Sequence, residues 1–433
     1  MPNELRVTAE DPQAALTYRA YVLVILVAVY TFNFIDRQIV GILAVPIKAE
    51  LGLTDTQLGL MGGLAFAIFY TLLGIPIARW ADRVSRVGIM TAALGLWSVM
   101  TAACGFTHSF AQLFMARLGV GVGEAGGVAP AYSLICDYFP VAQRARALAV
   151  YSFGIPLGGA TGVVLGGFIS HWLSWRMAFL VVGAAGLLLA PLLKMTVREP
   201  LRGALDRRPA SAAAAPASFA LVLATLAGKP SFWALALGSA CCSMMGYGLF
   251  FWMPSFLVRS FSLTLLQASL AYGALVLVGG MAGIWLGGAL ADARGTRRKA
   301  AYGLIPAVAF LATIPFYVVG VSATQLSVCL GVLLLPTALG LAWLGPVLTA
   351  VQHLVPAGMR ATSSAVFLFI NNLLGIGLGT TLIGVLSDAF KVRAGVEALR
   401  YAILSGTGFY LLAAIFYLLA AKRLDRDWDG AVR

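Results

Sequence analysis

Residues 21–45 read YVLVILVAVYTFNFIDRQIVGILAV, an apolar run in which Asp36 and Arg37 stand side by side. The run is long enough to cross a bilayer as one helix, because about 20 apolar residues span the hydrocarbon core. An ionisable residue near the centre of such a helix costs roughly 2.5–3.5 kcal/mol on insertion scales. Partners or a function must therefore compensate these two charges.

A second apolar run carries the complementary charges. Residues 114–125 read FMARLGVGVGEA and contain Arg117 and Glu124. At a rise of about 1.5 Å per residue, Asp36 and Arg117 lie roughly 14 and 12 Å from the same membrane surface, with Glu124 roughly 10 Å deeper. Arg117, Gly121 and Glu124 share one helix face, because they are spaced i, i+4 and i+7. The glycines beside Glu124 leave room for a substrate or for another helix.

The composition indicates a polytopic membrane protein. Of the 433 residues, 60% are hydrophobic and only 11% are charged, whereas a soluble domain has about 25% charged residues. The net charge of +13 would suggest nucleic acid for a soluble protein. Here the basic residues cluster in short gaps between apolar runs, which is the pattern of orientation in a membrane, so we expect no nucleic-acid partner. The sequence contains no metal-ligand spacing and no phosphate-binding glycine loop after a strand, so we expect no metal, no other cofactor and no ATP-driven step.

The apolar runs also predict the topology. Of the 30 Lys and Arg residues, 22 fall in the N-terminal tail, the even-to-odd gaps and the C-terminal segment, which places both termini in the cytoplasm. The twelve predicted spans cover residues 18–45, 55–80, 87–107, 109–137, 145–170, 175–197, 231–257, 265–292, 299–320, 324–354, 362–388 and 397–421.

The spans divide into two related sets of six. We expect an N-terminal half at 18–197 and a C-terminal half at 231–421, joined by a cytoplasmic linker at 198–230 with a short amphipathic helix after Ser218 and flanked by tails at 1–17 and 422–433. An internal repeat supports this division. Thr54, Gln57 and Asp82 recur 210 residues later as Thr264, Gln267 and Asp292, and Pro140 and Arg144 recur 216 residues later as Pro356 and Arg360. The predicted fold class is an all-α membrane protein of twelve helices in two pseudo-symmetric halves.

Two loops carry a recognisable motif. Asp82-Arg83 followed by Arg86, and residues 288–299 with the sequence GALADARGTRRK, resemble the cytoplasmic loop motif of the major facilitator superfamily. The first copy departs from that motif at Ala78 and Ser85. An Asp at a helix end can pair with a neighbouring helix N-terminus or an Arg and lock one side of the protein; the alternative is a topology signal with solvated charges. The resemblance implies a cytoplasmic gate of Asp82, Arg83, Arg86, Asp292, Arg297 and Arg144.

The charged runs narrow the resemblance. Residues 117–123 resemble the fourth-helix motif of this superfamily, and residues 137–144 resemble its next loop. Asn33-Phe-Ile-Asp-Arg37, taken together with Arg117 and Glu124, is most similar to the Spinster family, and in particular to its bacterial members. The resemblance implies proton-coupled export of lysolipids or sphingolipid-type amphiphiles across the bacterial inner membrane. An Asp-Arg pair in the first helix also occurs in organic anion:cation symporters, which stay an alternative, as does a drug exporter.

The four charges suggest a coupling mechanism. We assign Asp36 and Glu124 as proton carriers, Arg117 as the partner of Asp36, and Arg37 as a gate or a head-group ligand. If an anionic head group takes the Arg, the carboxylate loses its partner and is more easily protonated. The alternative is a structural salt-bridge network that holds the two helices together.

The second half offers aromatic and amide groups instead of charges. Candidate substrate contacts are Tyr247, Trp252, Trp343, Asn371 and Asn372. Such aromatics can also be packing or lipid-facing residues, and adjacent amides can bond between helices. A polytopic membrane enzyme acting on lipid is the alternative from another class, but no nucleophile constellation is recognisable, so we expect no enzyme. A monomer can contain the complete transport pathway.

Overall fold

The computed structural model describes residues 12–81, 83–202, 218–295, 298–356 and 359–428. These residues are helical almost throughout and include no strand. Spans 1 to 6 comprise Pro12–Leu51; Asp55–Gly62 with Leu64–Ala81; Arg86–Cys104; Phe110–Glu124 with Val128–Tyr138; Val141–Ser152 with Gly154–Trp172; and Trp175–Thr196. Spans 7 to 12 comprise Pro230–Phe261; Leu265–Gly295; Ala301–Ser322; Leu326–Leu339 with Leu344–His353; Arg360–Ala394; and Ala398–Gly406 with Gly408–Asp427.

A count by length and hydropathy differs from the twelve spans in two places. Ten segments are long and apolar enough to cross a membrane as they stand. Span 4, which carries Arg117 and Glu124 and is interrupted between Glu124 and Val128, is not among these ten. The segment Thr362–Asp427 contains two spans, since the chain turns at Gly395–Glu397 before span 12 begins. The predicted twelve helices are therefore confirmed.

The segment between the halves contains the short helix that was predicted after Ser218. It covers Phe219–Ala227, and the Ser218 hydroxyl accepts a hydrogen bond from the Leu221 amide at its start. Val222 and Leu226 are buried, while the remaining large apolar side chains of this helix are exposed. This division into a buried and an exposed face is typical of a helix that lies along a protein surface.

The two halves are built around equivalent helix pairs and meet along three seams. Span 1 packs on span 5 and span 3 on span 6 in the first half. In the second half span 7 packs on span 11 and span 9 on span 12, and span 7 also packs on span 12. Contacts between halves join span 1 to span 7, span 2 to span 11, and span 5 to span 8. The charged spans 1 and 4 thus belong to one half, and span 1 also faces the other.

The sequence repeat corresponds to a repeated helix cap. The Thr54 hydroxyl accepts from the Gln57 amide at 3.1 Å, and the Gln57 side chain accepts from the Thr54 amide at 3.0 Å. Thr264 and Gln267 make the same two bonds at 3.2 and 3.0 Å. Each capping box satisfies amides that would otherwise be left unpaired at a helix start, here the starts of spans 2 and 8. The 210-residue repeat therefore marks equivalent positions in the two halves.

Glycines allow the backbones of neighbouring spans to touch. A Cβ atom on Gly158 of span 5 would lie 2.3 Å from the Thr31 carbonyl oxygen of span 1, and one on Gly379 of span 11 would lie 2.1 Å from the Met244 carbonyl oxygen of span 7. Close approach of this kind is how helices associate in a bilayer, where the surrounding lipid is as apolar as the side chains. Spans 1 and 5 are thereby fixed at short range.

We expect Gly158→Ala to destabilise the protein by about 1–3 kcal/mol, because overpacking a tight contact costs that much. The matched control is Gly331→Ala, since a Cβ atom at this exposed position of span 10 meets no atom within 4 Å. Alanine is favoured over glycine in a helix by roughly 0.5–1 kcal/mol, so the control should melt at or above the wild-type temperature. Thermal unfolding in detergent measures both. Equal melting temperatures for the two variants would contradict the close contact.

Candidate functional site

Spans 1 and 4 bring the four charged residues of the sequence analysis together as two neighbouring pairs. Arg117 Nη1 lies 3.3 Å from Asp36 Oδ1, and Arg37 Nε lies 2.8 Å from Glu124 Oε2. The side chains of Asp36, Arg117 and Glu124 are buried, and that of Arg37 is 10% exposed. Asp36 and Arg117 thus lie at ion-pair distance, as expected from the sequence, while their role in proton coupling stays a prediction. Arg37, which the sequence left as a gate or a head-group ligand, is the partner of Glu124.

The Asp36 carboxylate is fully engaged, whereas Nε of its partner Arg117 is buried without a hydrogen-bond partner among the described residues. Oδ1 of Asp36 accepts from Arg117, and Oδ2 accepts from the Thr101 hydroxyl of span 3 at 2.7 Å. Trp97 and Ser98 of span 3 close around the same carboxylate. Both oxygens of Asp36 therefore have donors, as a buried carboxylate requires.

The Glu124 pair is only partly engaged. Oε2 of Glu124 accepts from Arg37 Nε and from Asn33 Nδ2, the latter at 2.7 Å. Oε1 is buried and has no hydrogen-bond partner among the described residues. Since a buried unsatisfied acceptor costs roughly 1–3 kcal/mol, this oxygen is an energetically unfavourable feature of the site.

The glycines beside Glu124 make room for helices. A Cβ atom on Gly121 would lie 2.5 Å from the Phe66 carbonyl oxygen of span 2, and one on Gly123 would lie 2.6 Å from the Trp97 backbone nitrogen of span 3. Of the two uses that the sequence left open for this space, the structure shows the second. Spans 2 and 3 approach Glu124 closely and enclose its turn of helix.

Aromatic rings surround the Arg37 guanidinium. Its carbon lies 5.0, 4.7 and 4.7 Å from the ring centres of Phe34, Phe66 and Tyr70, within the range of cation–π attraction. Nη2 is buried without a hydrogen-bond partner in the described part of the chain. The guanidinium faces a cavity between the two halves. This cavity is lined by Phe34, Arg37, Gln38, Gly62, Phe66, Arg117, Tyr247, Phe250, Phe251, Ile376 and Thr380.

Tyr247 and the amide pair lie on the second half's side of this region. Tyr247 is part of the cavity lining. Asn371 Oδ1 accepts from the Ser243 hydroxyl at 2.8 Å, and Asn371 Nδ2 donates to Asn372 Oδ1 at 3.3 Å. Asn371 is buried and Asn372 is half-buried. The interhelical bond that the sequence left open for these amides is therefore present between spans 7 and 11.

The two predicted tryptophans are packed within the second half. Trp252 is fully buried, and its Nε1 donates to the Thr380 carbonyl at 2.8 Å. Trp343 is 6% exposed, with its ring 6.5 Å from that of Phe367. Among the described residues that line the cavity there is no tryptophan. Their role as substrate contacts stays a prediction that this geometry does not support.

Most of this chain matches one known protein family. Residues 26–380 match the family described as the Major Facilitator Superfamily. The chain belongs to this superfamily. It is 34% identical over 412 residues to an "MFS-type efflux pump" of Mycolicibacterium smegmatis, covering 93% of this chain and 92% of that protein. It is 28% identical over 389 residues to rat "Protein spinster homolog 1", covering 86% of this chain and 73% of that protein.

Solved structures place the chain with the Spinster transporters. A bacterial homologue of the human lysosomal transporter Spinster, in an inward-facing and unoccupied conformation, superimposes with a TM-score of 0.86. Sequence identity is 34%, covering 96% of this chain and 99% of the other. The inward-facing, occupied form of such a homologue gives a TM-score of 0.82 at 33% identity. The chain is thus a multi-pass membrane transporter of the Spinster type.

In this Spinster-type protein, the predicted gate residue Arg86 is bound within the first half and the segment that follows it. The Arg86 side chain is 1% exposed; it forms an ion pair with Asp137 and another, at 2.7 Å, with Glu199. Burial alone would raise the pKa of Glu199, but hydrogen bonds from the Val87 amide, Arg86 and Ser85 hold this pKa below its usual range. Arg86 thus ties the segment after span 6 to spans 3 and 4. We call this end of the bundle the Arg86 end.

The remaining gate residues are less informative. Arg83 is exposed in the turn after span 2, and Arg144 Nε donates to the Phe139 carbonyl at 3.1 Å. Asp82, Arg297 and the side chain of Asp292 lie outside the described residues. Their gate role stays a prediction.

At the opposite end, an ion cluster that the sequence analysis missed joins the two halves. Both Arg259 Nη atoms of span 7 donate to Asp55 of span 2, at 2.7 and 2.8 Å, and Lys48 forms an ion pair with the same carboxylate. Asp388 of span 11 accepts from the Thr56 amide and hydroxyl, each at 2.7 Å. Asp55 is 3% exposed. We call this end the Asp55 end; its halves are held together by charge-assisted bonds.

We expect Asp36→Asn to destabilise the protein by roughly 3–5 kcal/mol, because it leaves the buried Arg117 guanidinium without a counter-charge. The double variant Asp36→Asn/Arg117→Met removes both charges and should recover most of that loss. Denaturant unfolding of the wild type, both single variants and the double variant measures the coupling. If the double variant were less stable than Asp36→Asn alone, the two residues would not be energetically paired.

Proposed function

We propose that this chain is a proton-coupled secondary transporter that moves an anionic, amphiphilic lipid by alternating access. The substrate class is a lysolipid or a sphingolipid such as a sphingoid phosphate. One observation carries the proposal: Arg37, in a cavity between the halves, has a buried and unpartnered Nη2 while its Nε is bonded to Glu124. A cation already in contact with a protonatable group can exchange that group for a substrate anion.

The exchange supplies the coupling. An anionic head group that bonds to Arg37 competes with Glu124 for the guanidinium, and the carboxylate that loses this partner becomes easier to protonate. Both oxygens of Glu124 are then available to a proton, because Oε1 has no partner in the described residues and Oε2 has lost Arg37. Asp36, whose two oxygens already accept from Arg117 and Thr101, is suited to a supporting role rather than to carrying the transported proton.

The walls of the cavity suit the apolar part of an amphiphile. Phe250 and Phe251 of span 7 line it beside Tyr247, opposite the charged side of span 1. Pockets for small molecules combine apolar walls with a few well-placed polar groups. The head group would lie at Arg37, and the tail would extend along the aromatic side of the second half, with Asn371 and Asn372 nearby.

Topology and conformation follow from the two ends. The excess of Lys and Arg supports a cytoplasmic Arg86 end and cytoplasmic termini in the bacterial inner membrane. The Asp55 end is then the outer side, where ion pairs hold the halves together. An outer side held closed by these ion pairs agrees with the inward-facing description of the solved relatives. Each monomer would contain a complete pathway.

A drug exporter is the second candidate. One relative is called an "MFS-type efflux pump" at 34% identity over nearly the whole chain. Aromatic rings around a single carboxylate–guanidinium pair can also receive amphiphilic drugs, because apolar contacts tolerate varied shapes. The two candidates differ in whether an anionic head group is required.

Transport in sealed proteoliposomes tests the proposal. We expect an imposed pH gradient to drive a lysolipid or sphingoid phosphate, and Glu124→Gln to abolish this gradient-driven movement. A one-unit pH step supplies about 1.4 kcal/mol, so a tenfold accumulation is the expected scale for one proton. Movement of a small organic anion or a neutral drug, without the lipid, would point to the alternative transporters. The absence of gradient dependence for every substrate would contradict proton coupling.

The Asp55 end provides a separate test of alternating access. We expect Arg259→Gln to shift the population toward an outward-open form, because it removes the forked ion pair between the halves. Arg176→Gln is the matched control, since Arg176 pairs with Glu50 inside the first half at the same end. Spin-label distances between spans 2 and 7 at this end report the opening. Equal distances in both variants would show that the Asp55 cluster does not hold the outer side closed.

A further inference from the structure

We propose that Asn33 is a positioning residue that keeps Glu124 hydrogen-bonded in both of its protonation states, so that Arg37 can leave for the substrate. The role assumes that Glu124 carries the coupled proton, as proposed above. Asn33 lies one helical turn before Arg37 on span 1, so the two side chains share a face. Both donate to the same Glu124 oxygen, from Asn33 Nδ2 at 2.7 Å and from Arg37 Nε at 2.8 Å.

The two partners differ in what they can do once a proton arrives. A carboxylate only accepts hydrogen bonds, whereas a carboxylic acid also donates one. Arg37 has no acceptor and therefore cannot receive the new O–H, while the Asn33 amide has both donors and an acceptor. Its acceptor, Oδ1, is buried and without a partner among the described residues. Asn33 itself is 2% exposed, so water does not readily take the place of that partner.

Rotation of the amide connects the two states. The terminal torsion of an asparagine is broad and roughly two-fold, so a half-turn exchanges Oδ1 and Nδ2 without moving the helix. Before proton binding, Nδ2 donates to the Glu124 carboxylate. After Arg37 leaves and a proton binds to Oε2 of Glu124, the rotated Oδ1 accepts from the acid. No covalent bond other than the new O–H forms.

This rotation matters because of what else surrounds Glu124. Within the described residues, Asn33 and Arg37 are its two hydrogen-bond partners. Without Asn33, departure of Arg37 would leave a buried carboxyl group unpaired, which would oppose the exchange that the substrate drives. The titratable and charged groups near this carboxyl and its Arg37 partner come from five spans, while span 3 contributes the Trp97 ring. They are Tyr30 and Asp36 on span 1, Tyr70 on span 2, Arg117 on span 4, Tyr151 on span 5 and Tyr247 on span 7.

Infrared absorption of the full-length protein in lipid nanodiscs tests this role. The carbonyl band of protonated Glu124 is the one that Glu124→Gln removes. Asn33→Leu keeps the side-chain size but removes both the donor and the acceptor. We expect the pH midpoint of the band to rise by about one unit, a tenfold tighter proton affinity, because the carboxylate loses a charge-assisted bond. We also expect the band to move to higher frequency, because the acid loses its partner.

Thr101→Val is the matched control. It removes an equally buried hydrogen bond from the other carboxylate, Asp36, and should leave the Glu124 band in place. Asn33→Ala removes the same polar atoms and gives the same test if the leucine variant does not fold. A purely structural Asn33 would lower the melting temperature and leave both the midpoint and the frequency unchanged, which would overturn the proposal, as would an equal shift in the Thr101 variant.

The outcomes also separate this role from the proposed function. Gradient-driven transport with an unmoved Glu124 band in Asn33→Leu would overturn the Asn33 role and leave the transporter proposal standing. A shifted Glu124 band in Asn33→Leu, together with wild-type transport that does not depend on the gradient, would do the reverse. It would support the hydrogen bond and contradict proton coupling.

Discussion

The bond between Arg37 and Glu124 is the interaction on which the rest of the site depends. Both side chains lie in a low-dielectric region, where an isolated charge is far more costly than it is in water. The pair is balanced but not saturated, because Arg37 Nη2 and Glu124 Oε1 are both left without partners in the described residues. A structural pair would be expected to satisfy these atoms. An incomplete pair can instead be exchanged for a ligand and a proton.

The neighbouring carboxylate shows the opposite case in the same helices. Asp36 accepts from Arg117 and Thr101 and lies beside Trp97 and Ser98 of span 3, so both of its oxygens have donors. Its partner Arg117 has a buried Nε without a hydrogen-bond partner among the described residues, and it lines the cavity between the halves together with Arg37. The two pairs therefore differ in the carboxylate and not in the arginine. The proposed exchange needs an unsatisfied carboxylate oxygen, which Glu124 has and Asp36 lacks.

Much of this arrangement could be predicted from the sequence. Regular spacing and the helical rise placed Asp36 and Arg117 at one depth, and the 210-residue repeat located two equivalent caps. The partner of Arg37 was harder to predict, because the helical rise gives the depth of Glu124 but not the direction in which a long arginine side chain extends. Asn33 was visible as part of the motif, but an isolated polar residue has no recognisable period. The Asp55 cluster was missed because its members lie on spans 1, 2, 7 and 11, which are far apart in sequence.

The two repeated caps differ in one residue, and this difference affects how the halves can separate. The residue that follows Thr54 is Asp55, whereas the residue that follows Thr264 is Leu265. On one side of this end an ion pair joins Asp55 of span 2 to Arg259 of span 7, and Asp388 of span 11 accepts hydrogen bonds from Thr56 of span 2. On the other side no ion pair joins span 5 to span 8 among the described residues, and Gly167 lies there against Ser269. The two sides of the closed end therefore differ: ion pairs and hydrogen bonds hold one side, and close helix packing holds the other. The halves can then part by swinging about the glycine-lined side, so the opening would be wedge-shaped rather than uniform.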